Sequence, residues 1–207
     1  MKNTTKETLS TALRLLIICA IVALIISLVY GITKNKIALN EREETAIALN
    51  AIYSDDFNGR TFNVAGEEFV IKDGDSIIAK CSEVDMKTFI RKDITALYVL
   101  NDVNSNAIGY CVAIEPIGFK DAIKMLVAVN TDLSVKGVKI ISMSETAGIG
   151  TKAQDESFLS QFTKMPAGDV EVISGATKTT KPIIDAVISS VEQVTVYCNT
   201  IGGVINE

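Results

Sequence analysis

Leu15 to Ile32 runs for eighteen residues without a charged side chain. At 1.5 Å per residue, a helix of that length nearly crosses a hydrocarbon core about 30 Å thick. Leu13 and the aliphatic stem of Arg14 extend the run to residue 13. A helix buried in a soluble domain is rarely apolar on every face over such a length. A secretory signal core is usually shorter and ends at a small-residue cleavage site. Tyr30-Gly31-Ile32-Thr33-Lys34 offers no such site. The run therefore reads as an uncleaved transmembrane helix over 13–32, preceded by a short cytoplasmic N-terminus, 1–12. Lys2, Lys6 and Arg14 on one side nearly balance Lys34, Lys36 and Arg42 on the other. The free amino terminus tips the expected orientation towards N-inside, which puts the remainder outside the cytoplasm.

Composition narrows the chemistry. The 207 residues contain no His and no Trp, which excludes His-based triads, HExxH zinc sites, His-ligated haem and any indole platform. The four Cys show no CxxC spacing, so zinc ribbons and redox dithiols lack support. Cys81, Cys111 and Cys198 are an odd set that allows at most one disulfide among them and requires none. The net charge of −5 opposes general nucleic-acid binding.

Beyond the span, Ile37, Leu39, Ala46, Ile47, Leu49 and Ile52 recur near helical spacing. They predict a helix that continues out of the membrane as a stalk, 33–54. A domain then fills 55–207. Its β-like runs are Glu68–Ile71, Ala96–Leu100, Ile108–Ile114, Met125–Asn130 and Gly137–Ser142. The second and third pair across Asn101–Asn106, and the last two form another hairpin. Ser157–Phe162 and Lys181–Tyr197 read as helices. In the latter, Ile183, Ile184, Val187, Ile188, Val191 and Val194 make one apolar stripe. Helix, strands, then a terminal helix predicts an α+β fold with a mostly antiparallel sheet and flanking helices. No GxGxxG stands between a strand and a helix, which argues against a Rossmann site.

Three segments are candidates for chemistry. Ser174-Gly175-Ala176-Thr177-Lys178-Thr179-Thr180 precedes the terminal helix. It can serve as a helix entry, with Thr179 or Thr180 capping free amides and Pro182 in the first turn. It can equally serve as an anion site, because helix N-termini present amide donors and partial positive charge. Gly175 and Ala176 let backbone approach a ligand, and Lys178 and Lys181 add charge. Glu145-Thr146-Ala147-Gly148-Ile149-Gly150-Thr151-Lys152 is either a plain connection or a cofactor-pocket wall with Glu145 and Thr146 as hydrogen-bonding groups. Glu115-Pro116-Ile117-Gly118-Phe119 is a tight turn carrying one aromatic.

The span Glu171-Val172-Ile173-Ser174-Gly175-Ala176-Thr177 resembles the flavinylation motif of the FMN-binding domain family, Asp-x-x-Ser/Thr-Gly-Ala-Thr. Glu171 keeps the charge of the usual Asp with a longer reach. The stretch Glu145–Gly150 resembles that family's Glu-Thr-Pro-Gly-Leu-Gly segment, with Ala147 in place of Pro. With one N-terminal span, the whole pattern is most similar to the Rnf-type electron-transport branch of the family. A related motif occurs in the C component of Na⁺-translocating NADH:quinone reductases, which is typically longer. A non-redox, membrane-anchored scaffold is the alternative outside the redox class.

The resemblance implies an extracytoplasmic domain with FMN joined covalently, through its phosphate, to Thr177. Ser174, Gly175, Ala176, Thr180, Glu145, Thr146 and Gly148 are implied as its neighbours. It also implies a separate flavin transferase for maturation. The partners would be other subunits of a cell-membrane complex that couples ferredoxin:NAD electron transfer to Na⁺ or H⁺ movement.

Overall fold

A computed structural model describes residues 2–85, 89–164 and 169–204, with side chains between 12 and 200 in those ranges. Met1 of the expected N-terminal segment and 205–207 of the expected domain lie outside the described residues. The chain divides into two compact units, Met1–Arg42 and Glu43–Glu207.

The first unit is helical. Helix α1, Lys2–Tyr53, begins in it and ends in the second unit. An eighteen-residue window of α1 reaches a mean hydropathy of 3.0, and none of that window is buried. Large apolar side chains from Leu13 to Ile32 are exposed all round the helix. This is the only helix among the described residues long and apolar enough to cross a membrane.

The second unit is built on one seven-stranded sheet. Its strands are β1 (Asn63–Ala65), β2 (Glu68–Asp73), β3 (Ser76–Glu83), β4 (Ile94–Asp102), β5 (Ala107–Ile114), β6 (Lys124–Val129) and β7 (Val135–Ser142). They lie in sequence order, each antiparallel to the next. Short turns suffice for such a meander. Both predicted hairpins are present as β4–β5 and β6–β7. Strands β1 and β3 add to the expected set. Strand β3 alternates its buried Ala79 and Cys81 with Lys80 and Ser82, so its apolar signal is weak. A two-residue turn, Gly74-Asp75, joins it to β2, and Gly74 has φ +61°. That left-handed backbone is the one such hairpins favour.

Alternation along β6 shows why its sequence is apolar throughout. Met125, Val127 and Val129 join one core with Leu97, Val112, Ile114, Phe158, Phe162, Ile183 and Val187. Leu126 and Ala128 join a second core with Leu49, Tyr53, Phe62, Phe69 and Ile71. Successive side chains leave a strand on opposite faces, so the sheet is covered on both. Each large apolar side chain so buried contributes about 1.5–3 kcal/mol.

The last turns of α1 cover one face. Ala46, Ala48, Leu49 and Tyr53 are buried there, within the compact unit that starts at Glu43. Glycines permit the close approach. A Cβ at Gly109 would lie 3.0 Å from Oη of Tyr53, and one at Gly137 would lie 3.0 Å from Cγ2 of Ile52. Two 3₁₀ turns (Gly150–Gln154 and Ser160–Thr163), the short helix α2 (Glu156–Leu159) and the long helix α3 (Thr177–Val204) follow the sheet among the described residues. The expected stripe of α3 packs inward through Ile183, Ile184, Val187 and Val194.

Cys81, Cys111 and Cys198 are all free thiols. Strands β3 and β5 are separated by β4, so Cys81 and Cys111 sit two strand spacings apart, roughly 9–10 Å. That exceeds the Cα separation a disulfide tolerates, about 7 Å. The Cys111 thiol lies 3.6 Å from Oη of Tyr53. Its hydrogen bond with Cys81, together with burial, pushes the Cys81 thiol above its ordinary range. Thiol reactivity requires the thiolate and access. Maleimide treatment of the native protein near neutral pH will therefore leave Cys81 and Cys111 unlabelled, as read by peptide mass spectrometry, until denaturant is added. Labelling of either in the folded protein would contradict this packing.

Candidate functional site

The site forms where three stretches converge: the turn 115–123, the loop 145–151 and the first turn of α3. Helix α3 begins at Thr177, four residues before the expected start at Lys181. Pro182 consequently sits in the second turn and not the first. The helix is tolerant there because Pro removes a single bond, the one its amide would give to the carbonyl of Lys178.

The earlier start reassigns the hydroxyls. Ala176 precedes the helix, and its carbonyl accepts the amides of Thr179 and Thr180, both at 2.9 Å. The hydroxyl of Thr180, fully buried, also donates to that carbonyl at 3.1 Å. The hydroxyl of Thr179, 2% exposed, donates to Oε2 of Glu145 at 2.9 Å. Neither threonine is the N-cap. Both face into the protein, whereas Thr177 and Lys178 are exposed. Gly175 supplies the entry bend with φ +80°, a region open to glycine at little cost.

Glu145 is the hub. It is 8% exposed. Its Oε1 accepts the amides of Phe119 (2.8 Å) and Lys120 (3.1 Å), while Oε2 accepts the Thr179 hydroxyl. Glu145 lines a cleft beside Thr177, while its carboxylate accepts three donors from within the protein. Two glycines make room for it. A Cβ at Gly118 would fall on Oε1, and one at Gly150 would lie 2.9 Å from both Oε2 and Cβ of Glu145. The carbonyl of Thr146 closes the loop by accepting the amides of Ile149 and Thr151, each at 3.2 Å. Gly148 turns the chain there with φ +74° and donates its amide to Oγ1 of Thr151 at 2.9 Å.

Two clefts flank Thr177. One, about 380 Å³, is lined by Phe119, Glu145, Thr146, Ile149, Gly150 and residues 175–179. The other, about 540 Å³, is lined by Ile117, Gly118, Phe119, Thr177, Lys178, Lys181, Pro182 and Asp185. Phe119, Thr177 and Lys178 belong to both. Nζ of Lys178 lies 5.5 Å from the centre of the Phe119 ring, a cation–π geometry. Lys181 pairs with Asp185 at 3.3 Å. Of the expected neighbours, Glu145, Thr146, Gly175 and Ala176 line the first cleft with Thr177, whereas Ser174, Gly148 and Thr180 lie outside its lining. Sequence reasoning left Phe119 and Ile149 unassigned. Their signal is exposure of large apolar side chains beside a polar loop, 56% and 50% respectively, which only the fold reveals.

The donor set suits FMN. Both volumes fall among those of ligand pockets, about 300–1,000 Å³. Phe119, Ile117 and Ile149 offer apolar surface for a flat ring system. The start of α3 offers the positive end of its dipole, and Lys178 and Lys181 offer charge, for a phosphate.

The family models agree with this geometry. The FMN-binding domain matches residues 118–192, and the RnfG N-terminal region matches residues 1–52. The G component of the ion-translocating oxidoreductase complex of Methanosarcina acetivorans is 26% identical over 201 residues, covering 91% of this chain and 95% of that protein. The G component of the proton-translocating ferredoxin:NAD(+) oxidoreductase complex of Clostridium ljungdahlii is 34% identical over 105 residues, covering 45% of this chain and 57% of that protein. The crystal structure of Shewanella oneidensis NqrC is similar with a TM-score of 0.44 and 24% identity, over 58% of this chain and 69% of that one. The chain is thus similar to RnfG-like FMN-binding proteins, at its N-terminal region and across the FMN-binding domain.

Proposed function

We propose that the chain is the flavin-carrying, electron-transferring subunit of an Rnf-type ion-translocating oxidoreductase complex, with FMN joined through its phosphate to Oγ1 of Thr177. The observation that carries the site is the sorting of hydroxyls at the start of α3. Thr179 and Thr180 are buried and hydrogen-bonded within the protein. Thr177 is exposed and lines both clefts. It is therefore the residue in this turn that a modifying enzyme can reach and from which a tethered flavin can enter a cleft.

Attachment from FAD by a separate flavin transferase balances as a transfer of the FMN phosphoryl group to the threonine oxygen, with AMP leaving. The remaining phosphodiester charge then lies at the positive end of α3. FMN supplies one- and two-electron redox chemistry, and this chain's residues position and shield it. Ser174, Gly175, Ala176, Thr180, Glu145, Thr146 and Gly148 support the attachment segment and the cleft wall. A covalent tether makes local concentration independent of affinity.

Residues 13–32 anchor the chain, with 1–12 cytoplasmic and the flavin domain on the extracytoplasmic side. One span without a charge from Leu15 to Ile32 cannot form an ion path alone, so ion movement belongs to the partner subunits of the complex, within ferredoxin:NAD electron transfer.

The test is an intact-mass spectrum of the membrane-purified chain made together with a flavin transferase, followed by peptide mapping. The expected result is a gain of FMN less one water on the peptide containing Thr177. An unmodified chain in that sample would overturn the covalent assignment and leave the scaffold alternative.

A further inference from the structure

Glu145 is a costly residue for a mere loop. A buried carboxylate is tolerated when its charge is compensated by donors, and this one is met by two backbone amides and one hydroxyl. Room for it is cleared at Gly118 and Gly150, where any larger residue would collide with its side chain. Its three donors come from two different walls of the same cleft. Phe119 and Lys120 belong to the turn that carries the exposed aromatic ring. Thr179 belongs to the first turn of α3, two residues from Thr177.

We propose that Glu145 is the positioning residue of the flavin site: its carboxylate locks the Phe119 turn to the first turn of α3 and so holds the aromatic wall at a set distance from the Thr177 attachment point. This inference rests on the reading of Thr177 as the flavin-bearing residue. Glu145 acts through Phe119 and Thr179 and needs no contact with the cofactor. A tether through the phosphate leaves the ring free to sample orientations along its ribityl chain. A fixed wall selects among them, and reproducible electron transfer needs a fixed ring position. The lock depends on acceptor geometry more than on charge. A glutamine can use its Oε1 for the two amides and its Nε2 to donate to Oγ1 of Thr179, because a hydroxyl both donates and accepts.

The experiment compares the full-length wild type, Glu145→Ala and Glu145→Gln, each made with a flavin transferase and purified in detergent. Mass spectrometry first establishes flavin on the Thr177 peptide. Visible circular dichroism of the flavin band and quenching of its fluorescence by iodide then report ring immobilisation and shielding. In Glu145→Ala the dichroism is expected to fall towards that of free FMN and the quenching constant to rise several-fold. Glu145→Gln is expected to restore most of both. Wild-type dichroism and quenching in flavin-bearing Glu145→Ala would overturn the proposal, and so would a glutamine variant no better than the alanine one. Should Glu145→Ala lack native far-ultraviolet dichroism, Thr179→Val removes the α3 arm of the lock alone. It is then expected to give an intermediate loss, and wild-type values there would overturn the proposal. A wild-type chain without flavin on Thr177 is a different failure, visible in the first mass spectrum, and it removes the functional reading itself.

Discussion

Thr177→Ala will abolish covalent flavin while leaving the domain folded. The side chain at 177 is exposed, and its replacement removes a hydroxyl without opening a cavity. Surface changes of this kind stay within about 0.5 kcal/mol of the parent, and Ala is a good helix former in the first turn. The effect on modification is all or none, because no other oxygen occupies that position. The checks are the intact mass, in-gel fluorescence under ultraviolet light, and an unchanged thermal midpoint of the flavin-free chain. Flavin retained on the 174–180 peptide in this variant would move the attachment to Ser174, the other exposed hydroxyl of the segment. Thr179 and Thr180 are not available without breaking the start of α3.

Gly118→Ala will be the most damaging single-methyl addition near the site. The added Cβ would fall on Oε1 of Glu145, 2.8 Å from Cδ1 of Ile123 and 3.2 Å from the carbonyl oxygen of Asp121. Ile123 is fully buried, so neither it nor the backbone has free space to yield. Overpacking of this sort costs about 1–3 kcal/mol, and each kcal/mol lowers the midpoint of a domain this size by roughly 2–4 °C. Gly148→Ala is the control. Open space surrounds its Cβ position, and only the left-handed backbone, φ +74°, opposes the change, at about 1–2 kcal/mol. The two variants should therefore differ in a second respect. Gly118→Ala also disturbs the Glu145 hydrogen bonds and hence the flavin dichroism, whereas Gly148→Ala leaves that signal intact. Equal flavin signals in both would show that crowding at Gly118 is relieved without moving Glu145.

Much of the architecture was written locally. An uncharged run long enough for a bilayer needs no tertiary information to be recognised, because each residue contributes independently to transfer from water. The β4–β5 and β6–β7 hairpins follow from apolar strands separated by polar turns such as Asn101–Asn106, where Asp102 organises the loop through the amides of Asn104 and Asn106. The stripe on α3 follows from the 3.6-residue period. The segment Ser174–Thr180 also stands out locally, since its small residues and hydroxyls stand together in the chain.

Tertiary structure decided matters of contact between distant segments. Proline alone would place the start of α3 near Lys181, yet packing of Thr179 against Glu145, thirty-four residues earlier, accompanies a helix that begins at Thr177. The same contact separates the reachable hydroxyl of Thr177 from the internal ones of Thr179 and Thr180. The final turns of α1 are mostly apolar, but the sequence does not say which surface they cover. They became core because Gly109 and Gly137 on the sheet let Tyr53 and Ile52 approach. Composition and period set which faces are apolar, through the cost of exposing them to water. Only the assembled fold sets which buried polar atom meets which partner, because that depends on distances between residues the sequence keeps far apart.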